Sequence, residues 1–168
     1  MIKEYKVLLN DDMMPELHEI NCNKWALRDD ECDDIVFNIE GMTDLHNCAE
    51  EFFWVVSFGC VEGEAKIMQC AHGSHESVNV VLRPLCMFLM LTNSVKCVVL
   101  HNHPNNVIEP SEADLKLTKY LQESLEMLDI ELLEHLIVGK AGYYQVINEH
   151  FVPRKYYDLN DPQYPGID

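Results

Sequence analysis

A β-rich apolar run, Val95-Lys-Cys-Val-Val-Leu100, ends in His101-Asn-His103-Pro104 and leads shortly to Ser111-Glu-Ala-Asp114. No other part of the chain constrains the fold as tightly. Alternate side chains of a strand point to opposite faces, so His101 and His103 share a face if the extended conformation continues through them. Pro104 lacks the N–H that an interior strand needs and closes the run. The following loop is rich in Asn, Glu and Pro, and Ser111 then opens the apolar-periodic run Leu115, Thr118, Leu121, Leu125, Leu128, which predicts a helix.

Asp114 therefore falls in the first turn of that helix, and a loop folding back from the strand end brings it beside the two histidines. Two imidazoles and a carboxylate suit a zinc ion at about 2.0–2.2 Å, leaving a fourth tetrahedral position for water. Iron, manganese and nickel accept the same donor types. Each piece also has an ordinary structural reading. Ser111-x-x-Asp114 is a capping motif, and an isolated His-x-His is common without metal. The two readings are compatible, because a capping carboxylate keeps a second oxygen.

The rest of the chain reads as alternating elements: a strand at Tyr5-Lys-Val-Leu-Leu9, a short helix within Asp33–Cys48, and strands from Phe52 to Phe58 and from Ala65 to Ala71. A buried helix from Pro84 to Leu91 precedes the histidine strand, and strands begin near Ile130 and Tyr143. Mixed strands and helices predict an α/β sandwich. About twenty residues after Leu9 show no clear period, and the segment beyond His150 reads as a tail. The expected division is an N-terminal extension over 1–44, a domain over 45–150 and a tail over 151–168.

At this spacing the chain resembles the JAB/MPN (JAMM) metalloproteases, and within them the RadC-like JAB domains. The carrying pattern is His101-x-His103-Pro104, seven residues counted from the proline, Ser111, two residues and Asp114. Glu51-Phe-Phe-Trp-Val-Val56 resembles the family's Glu-bearing strand. Gly73-Ser-His-Glu-Ser77 with Arg83 resembles its Gly-Thr-x-x-Ser and Arg elements, and Thr118 with Glu134-His135-Leu-Ile-Val-Gly139 its later Thr and Asp-His segment. Three departures stand out. Asn105-Asn106 replaces Ser-Gly after His-Pro, Glu134 replaces Asp, and Val81-Leu82 replaces the His-Pro before the Arg. Asn tolerates positive φ better than most residues, so the turn survives the first change.

The resemblance implies a deaminase-like JAB/MPN sandwich, a mixed β-sheet flanked by helices, with zinc on His101, His103 and Asp114. It implies Glu51 as general base, and Ser111 orienting the water or meeting the developing oxyanion, in hydrolysis of a peptide or isopeptide bond of an unspecified protein substrate. Glu50 is the neighbouring competitor and would face the other side of the strand. Arg83 and His135 are candidates for supporting the site, although His135, set between Leu133, Leu136 and Ile137, also reads as a hydrogen-bonded packing residue. His72-Gly-Ser-His75-Glu76 matches no zinc-helix spacing, and its Gly and Ser favour a turn. The alternative to an enzyme is a JAB/MPN binding or scaffold module without turnover, or an accessory in DNA-repair or mobile-element biology.

Charge and cysteine content narrow the partners. A net charge of −17, from 12 basic and 29 acidic residues, leaves little material for a phosphate-binding patch, so direct nucleic-acid binding is not expected. Residues 1–44 show no recognisable helix-hairpin-helix. The seven cysteines are odd in number and form no Cys-x-x-Cys pair, and no secretory h-region follows Met1, which together predict a cytoplasmic protein with reduced thiols. The most apolar stretch, Val78–Leu100, is interrupted by Arg83, Pro84, Asn93 and Lys96 and is not expected to span a membrane.

Overall fold

A computed structural model describes residues 2–23, 32–60, 64–73 and 79–154. The strands are β1 (Ile2–Leu9), β2 (Pro15–Asn23), β3 (Phe52–Phe58), β4 (Ala65–His72), β5 (Lys96–Asn102), β6 (Glu131–Gly139), β7 (Gly142–Gln145) and β8 (His150–Pro153). The helices are α1 (Cys32–Thr43), α2 (Leu82–Leu91) and α3 (Glu112–Glu126). All eight strands form one sheet in the order β2-β1-β4-β3-β5-β6-β7-β8. The sheet is mixed: β1 runs parallel to β4 and β5 to β6, while the other neighbours are antiparallel.

Alternation in the central strands separates two cores. Trp54, Val56 and Phe58 of β3 with Val98 and Leu100 of β5 face one side, where Ile35, Val36 and Ile39 of α1 cover them. Phe53 and Val55 with Cys97 and Val99 face the other, under Leu85, Phe88 and Leu89 of α2 and Leu121 and Leu125 of α3. A sheet apolar on both faces has to be covered on both, so the α/β sandwich expected from the pattern is what forms.

Three elements differ from the sequence reading. Residues 15–23, without clear period, form β2 through antiparallel pairing with β1. The helix expected from Pro84 begins at Leu82, which places Arg83 and Pro84 in its first turn, where proline costs no backbone hydrogen bond. The segment after His150 begins not as a tail but as β8, paired with β7, and the Arg154 N–H donates to the Ala141 carbonyl. The remainder of the expected tail, and Ser74, His75, Glu76 and Ser77, lie outside the described residues.

Candidate metal centre

Strand parity delivers the first donors. Cys97 and Val99 face α2 and α3, so His101 at the C-terminal end of β5 faces them too. The chain stays beside β6 for one more step, the His103 N–H meeting the Val138 carbonyl at 3.3 Å, and the two rings converge with 2.9 Å between their Nε2 atoms. The loop that turns away holds the second ring. His103 Nδ1 donates to the Val107 carbonyl, and Asn105 Oδ1 accepts the Val107 N–H at 2.9 Å. Asn106 adopts φ 59°, and its Oδ1 accepts from the Lys140 N–H at 3.2 Å. The Asn pair that departs from the family pattern thus builds this turn.

Glu51 comes to the same face because it shares the parity of Phe53, whose strand partner is His101. Its carboxylate is buried and lies 3.8 Å from His101 Nε2. Glu50 points away, exposed, and meets His72 Nε2 at 2.6 Å. Sequence reasoning missed what fixes this register. Asn102 Nδ2 donates to the Glu50 carbonyl and Asn102 Oδ1 accepts the Phe52 N–H, both at 2.9 Å, so one buried amide clamps the backbone on either side of Glu51. Its position between the two histidines was the available signal.

Asp114 is the N3 residue of α3. Ser111 caps the helix by accepting the Asp114 N–H at 3.2 Å, while Asp114 Oδ2 accepts the Ser111 N–H at 2.8 Å and its hydroxyl at 2.6 Å. Cap and site coexist, since Asp114 Oδ1 lies 3.2 Å from His101 Nε2 and Oδ2 lies 3.4 Å from His103 Nε2. The Ser111 hydroxyl therefore spends its hydrogen on Asp114. His135 joins from β6: its Nε2 is 2.9 Å from His101 Nδ1, and its Nδ1 is 2.7 Å from the Thr118 hydroxyl. It stands behind His101 and not among the converging donors. Arg83 is exposed and does not line the site cavity.

The electrostatics follow from burial among like and unlike charges. Burial opposes the charge on Asp114, yet the close approach of the His101 and His103 rings and the hydrogen bond from Ser111 hold its carboxyl well below the usual carboxylate range. Burial raises the Glu51 carboxyl, with the two imidazoles pulling it back. Burial also disfavours a charged His103, but its bonds to Asp114 and the Val107 carbonyl leave it raised. His135 is pushed well below the usual histidine range by burial, so its ring is neutral.

The donor set fits a metal ion. Donors on a tetrahedral zinc stand about 3.3 Å apart when each is about 2.0–2.1 Å from the ion. The 2.9 Å between the two Nε2 atoms, and the 3.2 Å from His101 to Asp114 Oδ1 and 3.4 Å from His103 to Asp114 Oδ2, bracket that spacing, with the carboxylate presenting one oxygen to each ring. Glu51, His101 and His103 also form a group with donor atoms within 4.8 Å of one another. The 3.8 Å approach of Glu51 is the loosest contact in the cluster. With Nδ1 of His103 committed to a carbonyl, its Nε2 is the nitrogen that meets Asp114 Oδ2, a pairing that calls for positive charge between them, from a proton or a metal ion.

An eight-stranded mixed sheet with helices on both faces and this buried His–His–carboxylate cluster defines a JAB/MPN-like α/β sandwich with a candidate metal centre. Residues 33–151 match the family model of the RadC-like JAB domain. The chain belongs to that family. Its relatives include UPF0758 proteins of Histophilus somni strain 2336, 28% identical over 110 residues covering 66% of this chain and 50% of that one, and of Saccharophagus degradans, 32% over 95 residues covering 56% and 42%. A UPF0758 protein of Pseudomonas fluorescens is 40% identical over 69 residues, 41% of this chain and 31% of that one. The chain thus matches half or less of the length of these relatives. The match reaches back to residue 33, so all of α1 after Cys32 lies inside the family region.

Proposed function

We propose that this chain is a zinc-dependent hydrolase of JAMM type that cleaves peptide or isopeptide bonds. The observation that carries the reading is the convergence of four side chains, Glu51, His101 and Asp114 buried and His103 half-buried. His101, His103 and Asp114 make the closest contacts, Asp114 through Oδ1 to the first ring and Oδ2 to the second, and Glu51, within 4.8 Å of both rings, lines a cavity of about 200 Å³ together with His101 and Asp114. His101, His103 and Asp114 would hold the ion. Bound zinc supplies Lewis acidity, lowering the pKa of water and polarising a carbonyl.

Glu51 takes the proton released when water attacks the carbonyl carbon and returns it to the leaving amine. Asn102 keeps its carboxylate on the cavity side. Phe53, Val80 and Leu117 line the cavity with apolar surface, which limits bulk water around that proton transfer. Ser111 acts through Asp114, orienting the carboxylate by two hydrogen bonds, rather than through a free hydroxyl. The proposed partners are protein substrates, and the proposed location is the cytoplasm, where the free thiols of Cys60 and Cys97 stay reduced.

A peptide-library screen with zinc-loaded protein tests the reading. Cleavage products that vanish in Glu51→Gln support it. Equal cleavage by Glu51→Gln removes Glu51 as base, and no cleavage by either favours a binding module.

A further inference from the structure

Asp114, Thr118, His135 and His101 form a closed circuit of contacts that leaves the metal cluster and returns to it. Thr118 Oγ1 donates to the Asp114 carbonyl at 2.7 Å, four residues back along α3. A carbonyl only accepts, so that bond uses the one hydroxyl hydrogen. The 2.7 Å contact between Thr118 Oγ1 and His135 Nδ1 must then be donated by the ring. A second hydrogen on this fully buried ring would leave a cation whose nitrogens meet only a hydroxyl and another imidazole, so Nε2 is left as an acceptor, and the 2.9 Å contact with His101 Nδ1 takes its hydrogen from His101. Each bond dictates the direction of the next.

We infer that Thr118 and His135 are positioning residues that keep the hydrogen of His101 on Nδ1, so that Nε2 is the nitrogen offered to the metal. The inference rests on the proposed metal site. It adds that the choice is made about one helical turn along α3 from Asp114, by a hydroxyl that touches neither metal nor substrate. His103 has its own device in the Val107 carbonyl, so each ring is set by a separate acceptor. Hydrogen bonds behind metal-binding histidines typically change metal affinity by about 10- to 100-fold. Phe53 flanks both rings, its centroid 5.8 Å from that of His101 and 5.7 Å from that of His135, which limits rotation of either.

Two readouts on the full chain test this. Long-range proton–nitrogen NMR of metal-free protein reports which His101 nitrogen carries hydrogen, and a chromophoric chelator reports zinc affinity. The expected result is a protonated Nδ1 in the unaltered chain. Thr118→Val should lose that preference and bind zinc about 10- to 100-fold more weakly, and Thr118→Ser should restore both. An unprotonated Nδ1 in the unaltered chain overturns the inference whether or not Thr118→Val folds. A folded Thr118→Val with unchanged zinc affinity overturns it as well. Absence of zinc binding by the unaltered chain would instead fell the metal reading, and the NMR result would still decide the direction of the hydrogen bonds.

Discussion

At the scale of single residues, the cluster separates groups that hold charge from groups that hold geometry. Glu51→Gln keeps the shape of the side chain and removes its basicity. Turnover should fall by about 100-fold or more with zinc content unchanged, measured by cleavage rate and metal analysis on the same sample. Asn102→Ala removes the two bonds that clamp the backbone around Glu51, and should cost about 1–3 kcal/mol in urea unfolding. Zinc content should survive that change, because the Asn102 side chain bonds to the Glu50 and Phe52 backbone and not to the three proposed ligands; a variant of native stability would show the clamp to be dispensable. The pairing of His101, His103 and Asp114 was legible from spacing. Asn102 was not, because its partners, Glu50 and Phe52, lie about fifty residues away and only the register of β3 against β5 brings them together.

At the scale of elements, the strand, loop and helix that carry the site each follow from local chemistry. Parity in β5, the Asn-rich turn and the Ser111 cap were all readable in the sequence. The cap and the proposed ligand role share one carboxylate, so Ser111→Ala should both weaken α3 and loosen Asp114. An expected cost of about 1 kcal/mol can be read from urea unfolding of metal-free protein. Asn106 sits at φ 59°, and Asn106→Ala should destabilise by a similar amount while Asn106→Gly, which lacks the conformational penalty, loses less. Strands β2 and β8 escaped the sequence reading for a different reason. They are edge strands with one partner each, and exposed edges carry little of the apolar alternation by which a strand is recognised. Pairing with β1 and β7, and not internal pattern, defines them.

At the scale of the whole molecule, the chain places its strongest hydrophobic surface in two layers and its chemistry at the C-terminal end of β5. Cys97 lies inside the layer beneath α2 and α3, and burial pushes its thiol up to about 12. A thiol reagent at neutral pH should therefore label exposed Cys60 in the folded protein and reach Cys97 only on unfolding, which mass spectrometry of the labelled peptides would show. Among the described residues the buried carboxylates, Glu40, Glu51, Asp114 and Glu134, each have a partner, and the others are partly or fully exposed. Among the described residues no helix is long and apolar enough to cross a membrane. Whether the cluster is a metal centre is settled most directly by the metal content of the purified chain. The expected result is zinc approaching one ion per chain, lost in the His101→Ala, His103→Ala double variant. Background zinc in the unaltered chain, or equal zinc in the folded double variant, would contradict it.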